Sequence, residues 1–278
     1  MRLIPYLFIA LFIAFAVTFL VAPTAMLASQ AVSGDHGLTL EYLRSLGQYQ
    51  YVVAFRNSIV LSAVSALVGV VAGGLLAYTV LKPGAPRGLQ SAVTSFSAVA
   101  ANFGGVPLAF GFVATLGSLG LLTAGLHSIG IDIYAMGFRL YTILGLTVVY
   151  SYFQIPLMVI IITPALQALK PAWREASENL GSTPYQYWRL VGLPVLLPSL
   201  FSSFILLFGS SFSAYATAYA LTSGNLPLLT TEIGNVLSGD VMSSPQTGAA
   251  LSVGMIVVMV AVLGLSAVLS RRASRWHT

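Results

Sequence analysis

Six runs of mainly apolar residues dominate this chain, at about 4–28, 58–81, 92–115, 140–163, 197–221 and 247–270. A helix that crosses the hydrocarbon core of a bilayer needs roughly 20 such residues, and each run is long enough. Composition agrees. The chain is 57% hydrophobic and only 7% charged, where soluble domains carry roughly 25% charged residues. A soluble fold of 278 residues could not hide so much apolar surface. The expectation is an all-α membrane protein, a single transmembrane domain over 1–278. The third run is the weakest, because Asn102-Phe103-Gly104-Gly105 and Pro107 interrupt it. Such a break is tolerated where neighbouring helices or a water-filled cavity satisfy the freed backbone groups.

Charge sets the expected orientation. With the N-terminus inside, the inner segments hold Arg2, Lys82, Arg87, Lys170, Arg174, Arg189, Arg271, Arg272 and Arg275, and the outer segments only Arg44, Arg56 and Arg139. The positive-inside rule favours that arrangement, with both termini cytoplasmic. The acidic residues Asp35, Glu41, Asp132, Glu232 and Asp240 then fall outside. The first run, with Arg2 before it and small residues near Ala28, superficially resembles a signal peptide. Its apolar stretch is far longer than the roughly 7–15 residues of a signal core, so a retained first helix is expected.

The same inventory excludes several chemistries. Cysteine is absent, which removes disulfides and thiolate metal sites. His36, His127 and His277 are far apart and share no metal-binding spacing, so neither a metal nor another cofactor is expected. The net charge of +5 is not gathered into a basic run or an aromatic-interleaved patch, which argues against nucleic acid. No acidic or basic residue falls deep in a span, whereas proton- and sodium-driven carriers usually need ionisable groups there. Energy is therefore expected to enter from outside the bilayer. A charged solute would also meet no counter-ion on its way.

The polar stretch between spans four and five, 164–196, is more elaborate than a connector requires. Pro171 suits the first turn of a helix, where a missing N–H costs nothing. Ala172 to Leu180 contains good helix formers, with Glu175 and Glu178 one turn apart and Ala172, Ala176 and Leu180 in an apolar stripe. Gly181 is placed to end the helix in the left-handed conformation. Thr183-Pro184-Tyr185-Gln186 reads as a capping box with proline at its first position. The short helix it opens presents Tyr185 and Trp188 one turn apart with Arg189 beside them, and Gly192 and Pro194 are expected to end it. The bland alternative is a loop resting on lipid headgroups. Two ordered helix signals with paired carboxylates facing an anionic leaflet fit a protein partner better.

This stretch resembles the EAA loop of permeases of binding-protein-dependent ABC importers. The family pattern is E-A-A, three residues, G, nine residues, I, any residue, L-P. Glu175, Ala176, Gly181, Leu193 and Pro194 match at the same spacing, while Ser177 replaces the second alanine and Val191 the isoleucine. The likeness covers essentially the whole chain and implies the type I importer permease fold, with six spans. It implies a first short helix that docks on a separate ATP-binding subunit, with Glu175, Ala176, Ser177, Gly181, Tyr185 and Arg189 at the coupling surface. It further implies a second permease chain, identical or distinct, an extracytoplasmic solute-binding protein, and residence in a bacterial or archaeal plasma membrane among its lipids. The chain lacks the GxxxxGK[ST] phosphate loop, so hydrolysis of ATP is expected in the partner and no catalytic residue here. The run from Ser211 to Leu221, with Gly224-Asn225 and Leu228-Leu229-Thr230, is most similar to the spermidine/putrescine branch, which implies a polyamine-like solute.

Candidates for the translocation path come from span five, where Ser210, Ser213 and Thr217 fall at helical spacing, as do Ser211, Tyr215 and Tyr219. Asn102 and Gln154 join them, with Pro156. Interhelical packing is an equal reading, because Ser and Thr often bridge membrane helices. Gly69 and Gly73 form a GxxxG pair that predicts close helix packing, and Arg56 an interfacial anchor. An ion-coupled carrier or channel remains the alternative function, and a membrane-embedded enzyme is disfavoured because Glu175 and Glu178 have no nearby base.

Overall fold

The computed structural model describes residues 3–34, 37–82, 84–238 and 245–274. Arg2, Asp35, His36, Asp240, Arg275 and His277 lie outside the described residues. Two compact units are present, Met1–Phe55 with Pro227–Met259, and Arg56–Leu226 with Val260–Thr278.

In the first unit, helices α1 (Leu3–Ala16) and α2 (Ala22–Ala31) are joined by a π-helical turn, Val17–Val21. A two-residue antiparallel pair follows, β1 (Ser33–Gly34) with β2 (Gly37–Leu38), and then the short α3 (Glu41–Ser45). The beginning of α4 (Tyr49–Val68), then α14 (Leu229–Leu237) and the first part of α15 (Pro245–Ser274), complete it. Its core is built of small residues. Ala31 packs with Ala249 and Ala250, ringed by Leu27, Tyr42, Leu43, Leu46 and Val253. Along the first apolar run, Phe8, Phe12, Phe19 and Leu20 stay exposed. An apolar helix with no protein over it is what a lipid-facing span presents.

In the second unit, α4 continues through a π-helical turn at Gly69–Gly73 into α5 (Gly74–Leu81). Then come α6 (Arg87–Ala100), α7 (Gly105–Leu116), α8 (Leu121–Ser128), α9 (Ile143–Gln167) and α10 (Pro171–Asn179). The short α11 (Pro184–Tyr187) runs through a third π-helical turn, Trp188–Gly192, into α12 (Leu193–Phe212), and α13 (Ala216–Thr222) follows. Helix α9 is the spine. Of the residues in its apolar window, 61% are buried, against 33% or fewer in any other span. Leu146, Val149, Tyr150, Met158 and Ile162 sit in its core.

Six helical stretches are long and apolar enough to cross a membrane: Phe8–Ala31, Tyr49–Leu81, Gly105–Ser128, Ile143–Gln167, Pro184–Phe212 and Pro245–Ala267. The helix leaves its path at Ala101–Gly104, between α6 and α7, where the sequence interrupts the third run. The span-length apolar stretch, Gly105–Ser128, lies on the C-terminal side of that break rather than over 92–115, and the turn at 117–120 divides it into α7 and α8. The fifth stretch differs in two ways. The helix opened at Pro184 does not stop at Gly192 and Pro194. A wide π-helical turn absorbs Gly192, and the chain stays helical through Pro194 into α12. The chain instead leaves the helix at Ser213–Tyr215, inside the expected 197–221.

The GxxxG pair does bring backbones together. A Cβ built on Gly73 would lie 2.6 Å from both the Ile155 carbonyl oxygen and Met158 Cβ. One on Gly69 would lie 2.6 Å from Leu207 Cδ2 and 3.0 Å from Gln154 Cβ. Helices α9 and α12 therefore close on this turn with no room for a side chain. Gly73→Ala should destabilise the protein by about 1–3 kcal/mol through overpacking. Gly264→Ala on α15, where a Cβ meets nothing within 4 Å, should be neutral or stabilising by up to about 1 kcal/mol. Thermal unfolding in detergent compares the two, and equal behaviour would refute the close-packed seam.

Candidate coupling segment and translocation path

Helix α10 stands apart from the core. None of its residues is buried, and its one ion pair, Arg174 Nε to Glu178 Oε1 at 2.8 Å, spans a single exposed turn. Glu178 accepts that hydrogen bond and raises the already high pKa of the guanidinium. Gly181, at φ +77°, donates its N–H to the Glu178 carbonyl, while Ser182 donates its N–H to the Ser177 carbonyl. These bonds close the last turn in the left-handed manner that glycine permits. The hydroxyls of Ser177 and Ser182 also meet, so the serine at the motif's third position helps hold the bend. Leu180 lies just past the helix and is 88% exposed. Ala176, Ser177 and Leu180 line one cavity with Trp173, whereas Glu175 and Glu178 line another. The apolar stripe begun at Ala172 is thus carried by Ala176 and Leu180 toward α12.

Across the bend, Thr183 caps α11. Its Oγ1 accepts from the Gln186 N–H at 3.3 Å, and Gln186 Oε1 accepts from the Thr183 N–H at 2.7 Å. Tyr185 and Arg189 are exposed, whereas Trp188 turns inward and meets the Tyr78 ring edge-on at 4.9 Å. Gly192 is required beneath that indole, since a Cβ there would lie 2.7 Å from Trp188 Cε3.

The path candidates separate into two groups. Because α12 ends at Phe212, Ser210, Ser213 and Thr217 do not form one helical face. Ser213 turns its hydroxyl back onto the Gly209 carbonyl at 2.9 Å, and Ser210 is half-buried. Thr217 is buried, and its Oγ1 accepts from the Gly105 N–H at 2.8 Å. The Ser211–Tyr215–Tyr219 stripe divides in the same way. Ser211 is buried against Ser65, hydroxyl to hydroxyl at 2.7 Å. Tyr215 and Tyr219 remain a stacked, part-exposed pair 5.3 Å apart. Asn102 is exposed and donates its side-chain amide to the Ala98 carbonyl. Gln154 is fully buried. Its Nε2 donates to the Leu207 carbonyl at 3.0 Å and to Ser65 Oγ at 3.4 Å, while its Oε1 has no partner among the described residues.

The family model for binding-protein-dependent transport system inner membrane components matches residues 107–275. The chain belongs to this family. It is the permease component of an ABC importer, a multi-pass inner membrane protein, and not itself an enzyme. A spermidine/putrescine transport system permease protein PotC homolog of Mycoplasma genitalium is 28% identical over 227 residues, 81% of this chain and 70% of that one. A sulfate transport system permease protein, CysT of Salmonella typhimurium, is 36% identical over 86 residues, 31% of each chain. Among solved structures, a bacterial ABC transporter involved in the import of the acidic polysaccharide alginate superposes with a TM-score of 0.76. That match covers 97% of this chain and 95% of the other at 21% identity. The ion-coupled carrier and the embedded enzyme are set aside by the family.

Within this permease the two helix breaks answer one another. Gly105, at φ +72°, opens α7 with no side-chain cap of its own, and its N–H is taken by Thr217 in the first turn of α13. On the other side, the Ala214 carbonyl between α12 and α13 accepts from Tyr150 Oη at 3.0 Å. The sequence reading had Thr217 as path lining and did not single out Tyr150. A tyrosine in a nearly all-apolar span was the available signal, because a buried phenol must find a partner. Thr217→Val keeps the shape of the side chain and orphans the Gly105 N–H. It should cost about 1–3 kcal/mol, with Thr217→Ser near wild type. Chemical unfolding in detergent would show the difference, and an unaffected valine variant would break the proposed link between the breaks.

Proposed function

We propose that this permease carries a small, polyamine-like solute, with α10 as its coupling helix. It would act as one of two permease chains, identical or distinct. Separate ATP-binding subunits would sit inside, and an extracytoplasmic solute-binding protein would deliver solute outside. The observation that carries this reading is the isolation of α10, a stiff, exposed, separately capped helix turned by a left-handed glycine. Glu175, Ala176, Ser177 and Gly181 would form the docking turn, with Tyr185 and Arg189 exposed on the next helix beside it. A helix with no core role is suited to meet a soluble partner, and a rigid-body movement of that partner would pass through it.

In the path, Asn102, Ser210, Ser213 and Tyr215 supply polar atoms on accessible surfaces, while Gln154 and Thr217 hold the helices that shape it. The polyamine reading is supported by the relative covering 81% of the chain. It is also supported by the stacked Tyr215 and Tyr219 rings, whose faces attract alkylammonium groups without any carboxylate. The sulfate relative supports an alternative over its shorter match. Reconstituted with its ATP-binding and solute-binding partners, the transporter should show ATPase stimulation by spermidine and none by sulfate. The opposite pattern overturns the substrate assignment alone. In the same assay Gly181→Val, which forces a β-branched residue to positive φ at about 1–3 kcal/mol, should leave the complex assembled but lower stimulated ATPase and uptake together. Wild-type rates in that variant would sink the coupling role.

The inward placement of α10 and of both termini is part of the proposal. Lys82, Lys170 and Arg174 line one cavity at the ends of α5 and α9, which suits the positive-inside rule. The chain has no cysteine, so a single Tyr185→Cys gives a clean reporter. A membrane-impermeant maleimide should label it in inside-out vesicles and not in intact cells.

A further inference from the structure

We propose that the cavity between α5, α9 and α10 is a binding site for the phosphate of an acidic phospholipid. The cavity holds about 580 Å³. Its walls are apolar, from Leu81, Leu166, Leu169 and the rings of Tyr78 and Trp188, and its rim carries Lys82, Lys170 and Arg174. The site lies where the spans Tyr49–Leu81 and Ile143–Gln167 run out of apolar sequence. That is the level at which lipid phosphates and interfacial aromatics sit. An acyl chain against the walls and a phosphate at the rim match this distribution.

The charges point the same way. Arg174 is engaged by Glu178 at 2.8 Å. Lys82 and Lys170 instead lie over aromatic faces, with Nζ 5.7 Å from the Tyr78 centroid and 5.9 Å from the Trp173 centroid. Glu175 and Glu178 also line the cavity, so the rim is not uniformly positive, but among the described residues neither lysine has a carboxylate within ion-pair distance. The negative carbonyl ends of α5 and α9 account for a cation near each. They do not account for two lysines meeting at one cavity that is apolar within. A phosphate bridging Lys82 after α5 and Lys170 before α10 would fasten the coupling segment to spans two and four. The site does not depend on which solute is carried.

The test uses the assembled transporter in nanodiscs of equal parts phosphatidylglycerol and phosphatidylethanolamine, extracted gently and weighed by native mass spectrometry. The wild type should retain phosphatidylglycerol above its bulk share. Lys82→Gln with Lys170→Gln should lower that retention by about five-fold per lysine, and arginine at both positions should restore it. Equal retention by the wild type and the glutamine variant overturns the proposal. A second outcome also overturns it: both lysines shielded from acetylation only when the ATP-binding subunit is present, and equally in pure phosphatidylethanolamine. In that case the occupant is protein. Both variants must first bind the ATP-binding subunit as the wild type does. If the double glutamine variant does not assemble, the same retention measured on each single variant decides.

Discussion

A helix that breaks among packed side chains frees N–H and C=O groups that water reaches poorly, and each one left bare costs about 1–3 kcal/mol. The interior of this permease is organised around that requirement. The α6/α7 break frees the Gly105 N–H, which Thr217 accepts, and the α12/α13 break frees the Ala214 carbonyl, to which Tyr150 donates. One bond joins the two broken helices to each other, and the second ties the α12/α13 break to the central span α9. Two discontinuities that would each be a liability become a joint. Around it lie the exposed Asn102 and Ser213 and the stacked tyrosines 215 and 219. Both breaks lie at span ends, since the third span begins at Gly105 and the fifth stops at Phe212.

Below the joint the packing changes character. At Gly69–Gly73 the chain widens into a π-helical turn whose glycines let the α9 backbone and the Leu207 side chain of α12 close in. Beside it, Gln154, Ser65, Ser211 and the Leu207 carbonyl form a small polar knot between three helices. Small residues with a few buried hydrogen bonds are how membrane helices associate when hydrocarbon offers no hydrophobic drive. The Gln154 Oε1 left without a partner among the described residues marks a cost of about 1–3 kcal/mol at the centre of the best-buried span.

Much of this was legible because it is local. The capping box at Thr183 to Gln186, the left-handed Gly181 and the interruption at Asn102–Gly105 depend on a few adjacent residues, and each takes the local geometry its sequence implies. The GxxxG pair was legible as packing but not as to its partners, which lie far along the chain at Gln154, Met158 and Leu207. What misled was reading local breakers without their surroundings. Gly192 and Pro194 look like a stop, yet the glycine lies under Trp188 in a π-helical turn and the proline occupies a first-turn position. Conversely, Ser213-Ala214-Tyr215 carries no breaker at all. The helix can end there because Tyr150, distant in sequence, donates to the freed Ala214 carbonyl. A helical projection of Ser210, Ser213 and Thr217 presumed a continuity that only tertiary partners decide.

These features together constrain how work could reach the path. From Pro184 the chain stays helical to Phe212, 29 residues or about 43 Å at roughly 1.5 Å each, passing through the π-helical turn Trp188–Gly192 and over Pro198 inside α12. One end carries the exposed Tyr185 and Arg189 beside α10, and the other stops at the joint that Tyr150 and Thr217 hold. The spans carry no ionisable group deep inside that could convert an ion gradient locally. On the proposed coupling role, a displacement applied near Tyr185 has one helical element to follow, and it ends where the backbone is already broken. Kinks concentrate at prolines and π-helical turns, so this helix has points of give at Trp188–Gly192 and Pro198 besides the joint at its end. Movement is then expected at Ser213–Tyr215, by exchange of the Tyr150 hydrogen bond, and at the π-helical turn and Pro198, where a helix bends most readily.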